Sequence, residues 1–211
     1  MNDKIKTLLF TIVVTAVFTF LVSGINAALK ERIQLNRTVA RQKVILSLFG
    51  LMSADKALAE SDVPALFAGE TELVKFAGKA DFECYRRKNA TDELFVFAFS
   101  GQGFWDNIIG FLAVDAEKMQ VKGIEFTSHG ETPGLGGRIS EPEFKARLNG
   151  KPFADTRQDG LRLKVVAEGA ASRPDEIDGI TGATGTSSAI EKIVNAALAQ
   201  FITQKQGGIS N

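Results

Sequence analysis

The chain has 211 residues, enough for one domain of ordinary size with a short appendage. Its 25 lysines and arginines balance 25 aspartates and glutamates, so the overall charge gives no reason to expect nucleic acid or another polyanion as a partner. The single cysteine, Cys84, excludes an intramolecular disulfide and a cysteine metal cluster, and the single histidine, His129, argues against a histidine-rich metal site.

Residues 1–6 read as an N-terminal tail. Residues 7–29, TLLFTIVVTAVFTFLVSGINAAL, carry no charged side chain and are long enough to cross a hydrocarbon core of about 30 Å as a helix. They predict a single-pass anchor in the lipid bilayer. A cleaved signal peptide is the rival, since small residues near Ala28 offer a cutting site, but the apolar stretch exceeds the usual h-region and no clean A-x-A box follows. Lys4 and Lys6 precede the span, whereas Lys30, Arg32, Arg37, Arg41 and Lys43 come after it, and a literal count places the rest of the chain in the cytoplasm. Those later basic residues can equally coat a helix surface, so charge alone leaves the orientation open.

Residues 30–50 predict a connecting amphipathic helix that ends at Gly50, with Val44, Ile45, Leu48 and Phe49 on one face. Residues 51–205 then read as the main domain. Ser61 to Lys75 opens with Ser-Asp-Val-Pro and predicts a second helix, with Leu66, Phe67, Leu73 and Phe76 inward. FECYRR, ELFVFAFSG, IIGFLAVDA and VKGIEFTSH are aromatic and β-branched runs between turn residues, the pattern of an antiparallel sheet. SEPEFKARLNG predicts a short helix between a Ser140 cap and a Gly150 stop, and GLRLKVVAEG a further strand. In the last helix Ser188 and Glu191 form an S-x-x-E capping box, while Ile190, Ile193, Val194, Ala197, Leu198 and Phe201 make a buried stripe. Residues 206–211 read as a C-terminal tail. The order of elements is α+β: an antiparallel sheet with flanking helices, preceded by one transmembrane helix.

The stretch DGITGATGTSSAIEKI, from Asp178, puts small residues and hydroxyls at the start of that last helix. Free amides at a helix start attract anions and glycines let the backbone approach them, which makes a plausible phosphate cradle around the amides of Gly185 to Ser188. No lysine follows a glycine as a Walker loop requires, and Gly179, Gly182 and Gly185 lack the dinucleotide spacing. A well-capped helix start without a ligand fits the spacing equally well.

Asp178, Thr181, Gly182, Ala183 and Thr184 match the motif Asp-x-x-(Ser/Thr)-Gly-Ala-Thr, on which a flavin transferase attaches FMN to threonine through a phosphoester. SHGETPGLGG, from Ser128, and GQGFWDNIIGFLAV, from Gly101, supply a second and a third match. With these three ordered motifs the chain resembles the FMN-binding domain family. That family includes the C subunit of the sodium-translocating NADH:quinone oxidoreductase and the G subunit of the Rnf complex.

The resemblance implies that Thr184 carries the covalent FMN, with Thr186 as the nearest rival acceptor, and that Gly182 and Ala183 leave room for the transferase. It implies that Glu131 and Thr132 hydrogen-bond the flavin, that Leu135 packs on its ring, that Gly136 permits close approach, and that Trp105 lies near the isoalloxazine. Gly185 stands where the family pattern has a larger apolar residue, and the chain is shorter than many of the quinone-reductase subunits. Without reference to the family, Trp105 reads as core, Pro133-Gly134 as an ordinary turn, His129 as a satisfied polar residue, Cys84 as a small hydrophobe, and Arg86, Arg87 and Lys88 as a solvated turn or an acidic partner's dock.

The implied role is a redox subunit of an ion-translocating respiratory complex in the bacterial inner membrane, partnered by the other subunits and matured by a flavin transferase. The flavin domain is expected on the periplasmic side, against the charge count. No catalytic acid, base or nucleophile stands out, as expected where the cofactor does the chemistry. A stand-alone flavin reductase and a flavin-free anchor are the alternatives.

Overall fold

The structure, a computed structural model, describes residues 3–52, 59–76, 82–154, 160 and 162–210. Met1, Asn2 and Asn211 of the expected tails, and Leu161 of the expected strand 160–169, lie outside the described residues. The chain divides into two units, residues 1–41 and 42–211.

The expected span and connecting helix are one continuous helix, α1 (Asp3–Leu48). It contains no proline, and Gly24 alone, at a cost of about 1 kcal/mol relative to alanine, is too weak an interruption to end it. In the first unit the apolar side chains of this helix, Phe10, Phe18 and Phe20 among them, are exposed, and it is long and apolar enough to cross a membrane.

In the second unit the helix stops in a Schellman arrangement: Gly50 has φ 71°, its N–H donates to Ser47 O, and the Leu51 N–H donates to Leu46 O. The next helix, α2 (Val63–Glu70), is shorter than expected, because Thr71 is already extended and opens strand β1 (Thr71–Phe76). Leu73, expected inward, is half exposed, and Phe76 is buried. Pairing decided this outcome: four residues of β1, from Thr71 to Val74, lie opposite β2 (Cys84–Arg87), which offers backbone partners that a lone helix turn lacks.

Strands β3 (Leu94–Gln102), β4 (Asn107–Asp115) and β5 (Gln120–Ser128) follow as hairpins. With β8 (Ile209–Ser210) they make a sheet in the order β5-β4-β3-β2-β1-β8, every neighbouring pair antiparallel. Alternation along β3 sends Phe95, Phe97 and Phe99 to the main core and Val96 to a second cluster with Ile45 and Phe49.

Helix α4 (Thr184–Gln206) covers the main-core face, and all six residues of its expected stripe are buried. Phe201 stacks on Phe97 with ring centroids 4.9 Å apart, so Phe201→Ala costs about 3–5 kcal/mol. The short helix after β5 is α3 (Pro142–Ala146), with Glu141 rather than Ser140 at its N-cap. Strand β6 (Lys164–Val166) pairs in parallel with β7 (Glu176–Asp178), a pair the sequence patterns did not suggest. Buried Asn195 of α4 holds this region by accepting the Leu163 N–H at 3.0 Å and donating to the Leu163 carbonyl at 2.8 Å.

Candidate functional site

The β3–β4 hairpin turns over Gly103, Phe104, Trp105 and Asp106, closed by the Gly103 N–H donating to Asp106 O at 2.9 Å. Register places Ser128 of β5 opposite Ile109, so the loop after β5 emerges at the same end of the sheet as this turn. Glu131 of that loop points inward and is buried. Its Oε1 accepts the N–H groups of Phe104 at 2.9 Å and Trp105 at 3.0 Å, and its Oε2 accepts the Thr186 hydroxyl of α4. One carboxylate thereby ties together the three segments that carry the sequence motifs. Burial by itself would push the Glu131 carboxyl up, but the Thr186 hydroxyl and the amides of Trp105, Phe104 and Asp106 together hold it below the usual carboxylate range.

Two glycines make room for this carboxylate. A Cβ on Gly103 would fall 2.5 Å from both Glu131 Oε1 and Asp106 O, and one on Gly136 would fall 2.3 Å from Thr186 Oγ1. His129 braces the loop: its Nδ1 accepts the Glu131 N–H at 3.3 Å, and its Nε2 and Ser140 Oγ share a hydrogen bond of 2.9 Å. The expected capping hydroxyl of Ser140 is engaged there. The Thr132 carbonyl accepts the N–H groups of Leu135 and Gly137, closing the turn through Pro133 and Gly134, where Gly134 has φ 73°. The Thr132 side chain itself is exposed.

Strand β7 delivers Asp178 to the start of the acidic-to-threonine stretch. Arg147 donates to the carbonyls of Asp178 at 3.0 Å and Gly179 at 2.5 Å, and to Glu168 Oε1 at 2.8 Å. Glu168 in turn accepts the Thr181 N–H at 3.1 Å. The Thr181 hydroxyl and amide and the Arg147 guanidinium bring the Glu168 carboxyl down to about 2. Arg147 and Glu168 are missing from the sequence-based reading, because neither lies in a motif and only the fold brings them to it.

Ala183, buried and with its N–H donating to Ile180 O, is the residue before the helix, and α4 begins at Thr184. The Ser188–Glu191 capping box is not formed. Ser188 lies inside the helix, and Glu191 instead accepts the Val165 N–H at 2.7 Å, a tertiary partner invisible to a local motif. The first helical bond runs from Ser187 N–H to Ala183 O, so the amides ahead of the ladder are those of Thr184, Gly185 and Thr186, shifted from the expected Gly185 to Ser188.

The two candidate hydroxyls differ sharply. Thr184 is exposed, whereas Thr186 is 3% exposed and bonded to Glu131. The large apolar side chains of Phe104, which meets Gly185, Leu135, which meets Gly182, and Trp105, which packs on Phe104, are unusually open: Trp105 is 67% exposed, Phe104 59% and Leu135 45%. Trp105 is therefore not a core residue. Leu135 Cδ2 lies 3.2 Å from where a Cβ on Gly182 would be, and Gly182 has φ 79°. The Phe104 ring lies over Gly185, with Cδ2 only 2.3 Å from the position of a Cβ there. Phe104 also escaped the sequence reading; its one signal was the missing side chain at position 185.

The remaining candidates are structural. Cys84 is buried, which pushes its thiol far up and leaves it unreactive. Arg86 pairs with Glu72, Arg87 with Asp92, and the Lys88 ammonium donates to the Ala68 carbonyl, so this turn is largely satisfied from within.

Residues 103–199 match the model of the FMN-binding domain family. The C subunit of the sodium-translocating NADH-quinone reductase of Yersinia pestis is 28% identical, over 92% of this chain and 88% of the relative. Its counterpart from Pseudomonas aeruginosa is 29% identical, over 90% of this chain and 89% of the relative. The crystal structure of the corresponding protein from Parabacteroides distasonis shares the fold, with a TM-score of 0.64 at 24% identity, covering 85% of this chain and 96% of that one.

Proposed function

We propose that this chain, whose residues 103–199 match the FMN-binding domain family, is the FMN-carrying, electron-transferring subunit of a sodium-translocating NADH:quinone reductase, with the flavin joined to Thr184 by a phosphoester. The observation that carries the choice of residue is the contrast between the open Thr184 hydroxyl and the buried, hydrogen-bonded Thr186. A transferase needs an accessible hydroxyl, and only the first of these offers one.

The residues fit the group. The amides of Thr184, Gly185 and Thr186 sit at the positive end of a 23-residue helix, where a phosphodiester charge is stabilised by about 0.3–1 kcal/mol. Phe104, Trp105 and Leu135 offer open apolar surface for a planar ring, and Gly182 keeps the backbone beside Leu135 free of a side chain. Bound FMN supplies one-electron transfer between neighbouring redox centres. The protein's share is to hold the tether, orient the ring and keep Glu131 ionised and occupied within the fold. Residues 7–29 anchor the subunit in the inner membrane with residues 42–211 on the periplasmic side. Its partners are the other subunits of the complex, the lipid bilayer and the flavin transferase.

Peptide mapping of native protein under acid denaturation tests this reading. Flavin fluorescence should stay with the peptide spanning Asp178 to Lys192, with an FMN-sized mass increment, and should vanish in Thr184→Val. An unmodified polypeptide from a host that makes the transferase would overturn the covalent assignment, and an adduct persisting in Thr184→Val would overturn the choice of residue.

A further inference from the structure

Resting on the covalent-flavin reading, we propose that Phe104 is a positioning residue for the planar ring carried on Thr184, and that Gly185 is glycine because the Phe104 ring occupies the space of its side chain. Gly185 lies in the first turn of α4 and needs no unusual backbone angle. A glycine inside a helix costs up to about 1 kcal/mol against alanine, so its presence calls for a steric reason. That reason is the Phe104 ring, whose Cδ2, Cε2 and Cγ lie 2.3, 2.7 and 3.0 Å from where a Cβ would be.

The ring has a second contact. Trp105 meets it edge-to-face, with centroids 5.2 Å apart and planes at 85°. The backbone beneath is fixed by the Phe104 and Trp105 amides on Glu131. Even so, more than half of the Phe104 side chain is open to solvent. An aromatic ring pinned on a helix and left open, one residue along from the exposed Thr184 hydroxyl, is preorganised for apolar contact with a planar ligand on that hydroxyl. Leu135 stands over Gly182, two residues before Thr184, so the acceptor is bracketed along the chain by two glycines, each overlain by an apolar side chain.

The test uses full-length protein purified from a host that makes the transferase, with Phe104→Ala, Phe104→Leu, Gly185→Ala and the double variant Phe104→Ala with Gly185→Ala. Intact mass reads attachment, visible circular dichroism reads how the flavin is held, and emission from Trp105, the chain's sole tryptophan, reads the ring's position. Phe104→Ala should keep the mass increment but lose most of the flavin dichroic band, and Phe104→Leu should restore part of it. Gly185→Ala should displace the ring, shift the Trp105 emission and weaken the same band, without lowering the melting temperature as a purely structural defect would. The double variant should match Phe104→Ala alone. An unchanged dichroic band in Phe104→Ala, or losses that add in the double variant, would overturn the inference while leaving the covalent reading intact. A wild-type chain without the mass increment would remove that reading and the inference with it.

Discussion

The Thr186 hydroxyl donates to Glu131 Oε2 at 2.5 Å, joining residues 55 positions apart in the chain. This bond engages one of the two candidate hydroxyls at the helix start as a structural clasp. Thr186→Val should therefore leave the flavin on Thr184 while costing about 1–3 kcal/mol, because a buried carboxylate loses a partner. Denaturant midpoints and intact mass, measured together, check the two halves. A Thr186→Val protein that is as stable as wild type and lacks the adduct would reverse the roles.

Glu131 has a folded value below its ordinary 4.5, so the unfolded chain binds its proton more readily. Its contribution to stability is complete above pH 4.5 and is lost as the pH falls from there through the lowered folded value. In Glu131→Gln that part of the acid sensitivity should disappear, together with a loss of about 1–3 kcal/mol at neutral pH as the Thr186 bond is remade less well. Urea unfolding from about pH 7 down to about pH 3 compares the slopes; parallel curves for the two proteins would contradict the claim.

Arg147 grips the loop that leads to Thr184 through two carbonyls and through Glu168. Arg147→Ala should return the Glu168 titration from about 2 toward 4.5, speed amide exchange at Thr181 and reduce the fraction of chains carrying flavin. Carboxyl titration by NMR reads the first effect. The acid-labile window contributed by Glu168, between pH 4.5 and about 2, should shrink at the same time.

Gly103→Ala should be among the most damaging single-methyl changes, at about 1–3 kcal/mol or more, since its new Cβ would meet the backbone oxygen of Asp106 at 2.5 Å as well as Glu131. Gly69→Ala, where the added Cβ meets nothing within 4 Å, is the control and should be neutral or stabilising. Thermal unfolding of the pair checks this.

Removal of residues 1–41 should release protein that unfolds cooperatively and needs no detergent, because the buried clusters lie wholly within residues 42–211. Membrane fractionation of full-length and shortened chains, with solubility in carbonate as the readout, tests the anchor. A full-length chain extracted by carbonate would refute it.

Patterns of short range were legible from sequence: the apolar span, the four consecutive strand runs, the stripe of α4 and the three motif segments. Each rests on neighbours within one element, where the periodicity of burial is written directly in the residues. The errors lay where two local solutions compete. Thr71 to Phe76 became a strand because β2 pairs with it, and Glu191 left its expected cap for the Val165 amide. The β6–β7 pair has strands of three residues each, too short to carry a period.

The site divides in the same way. The order of residues along the chain was enough to pick out the three motif segments, because each motif is a run of consecutive positions. Folding in three dimensions was needed to establish which threonine is open and which is clasped, that Glu131 turns inward to bind three segments, and that Phe104 fills the space above Gly185. Burial and long-range hydrogen bonds depend on which segments the sheet brings to one end, and no window of neighbouring residues contains that information.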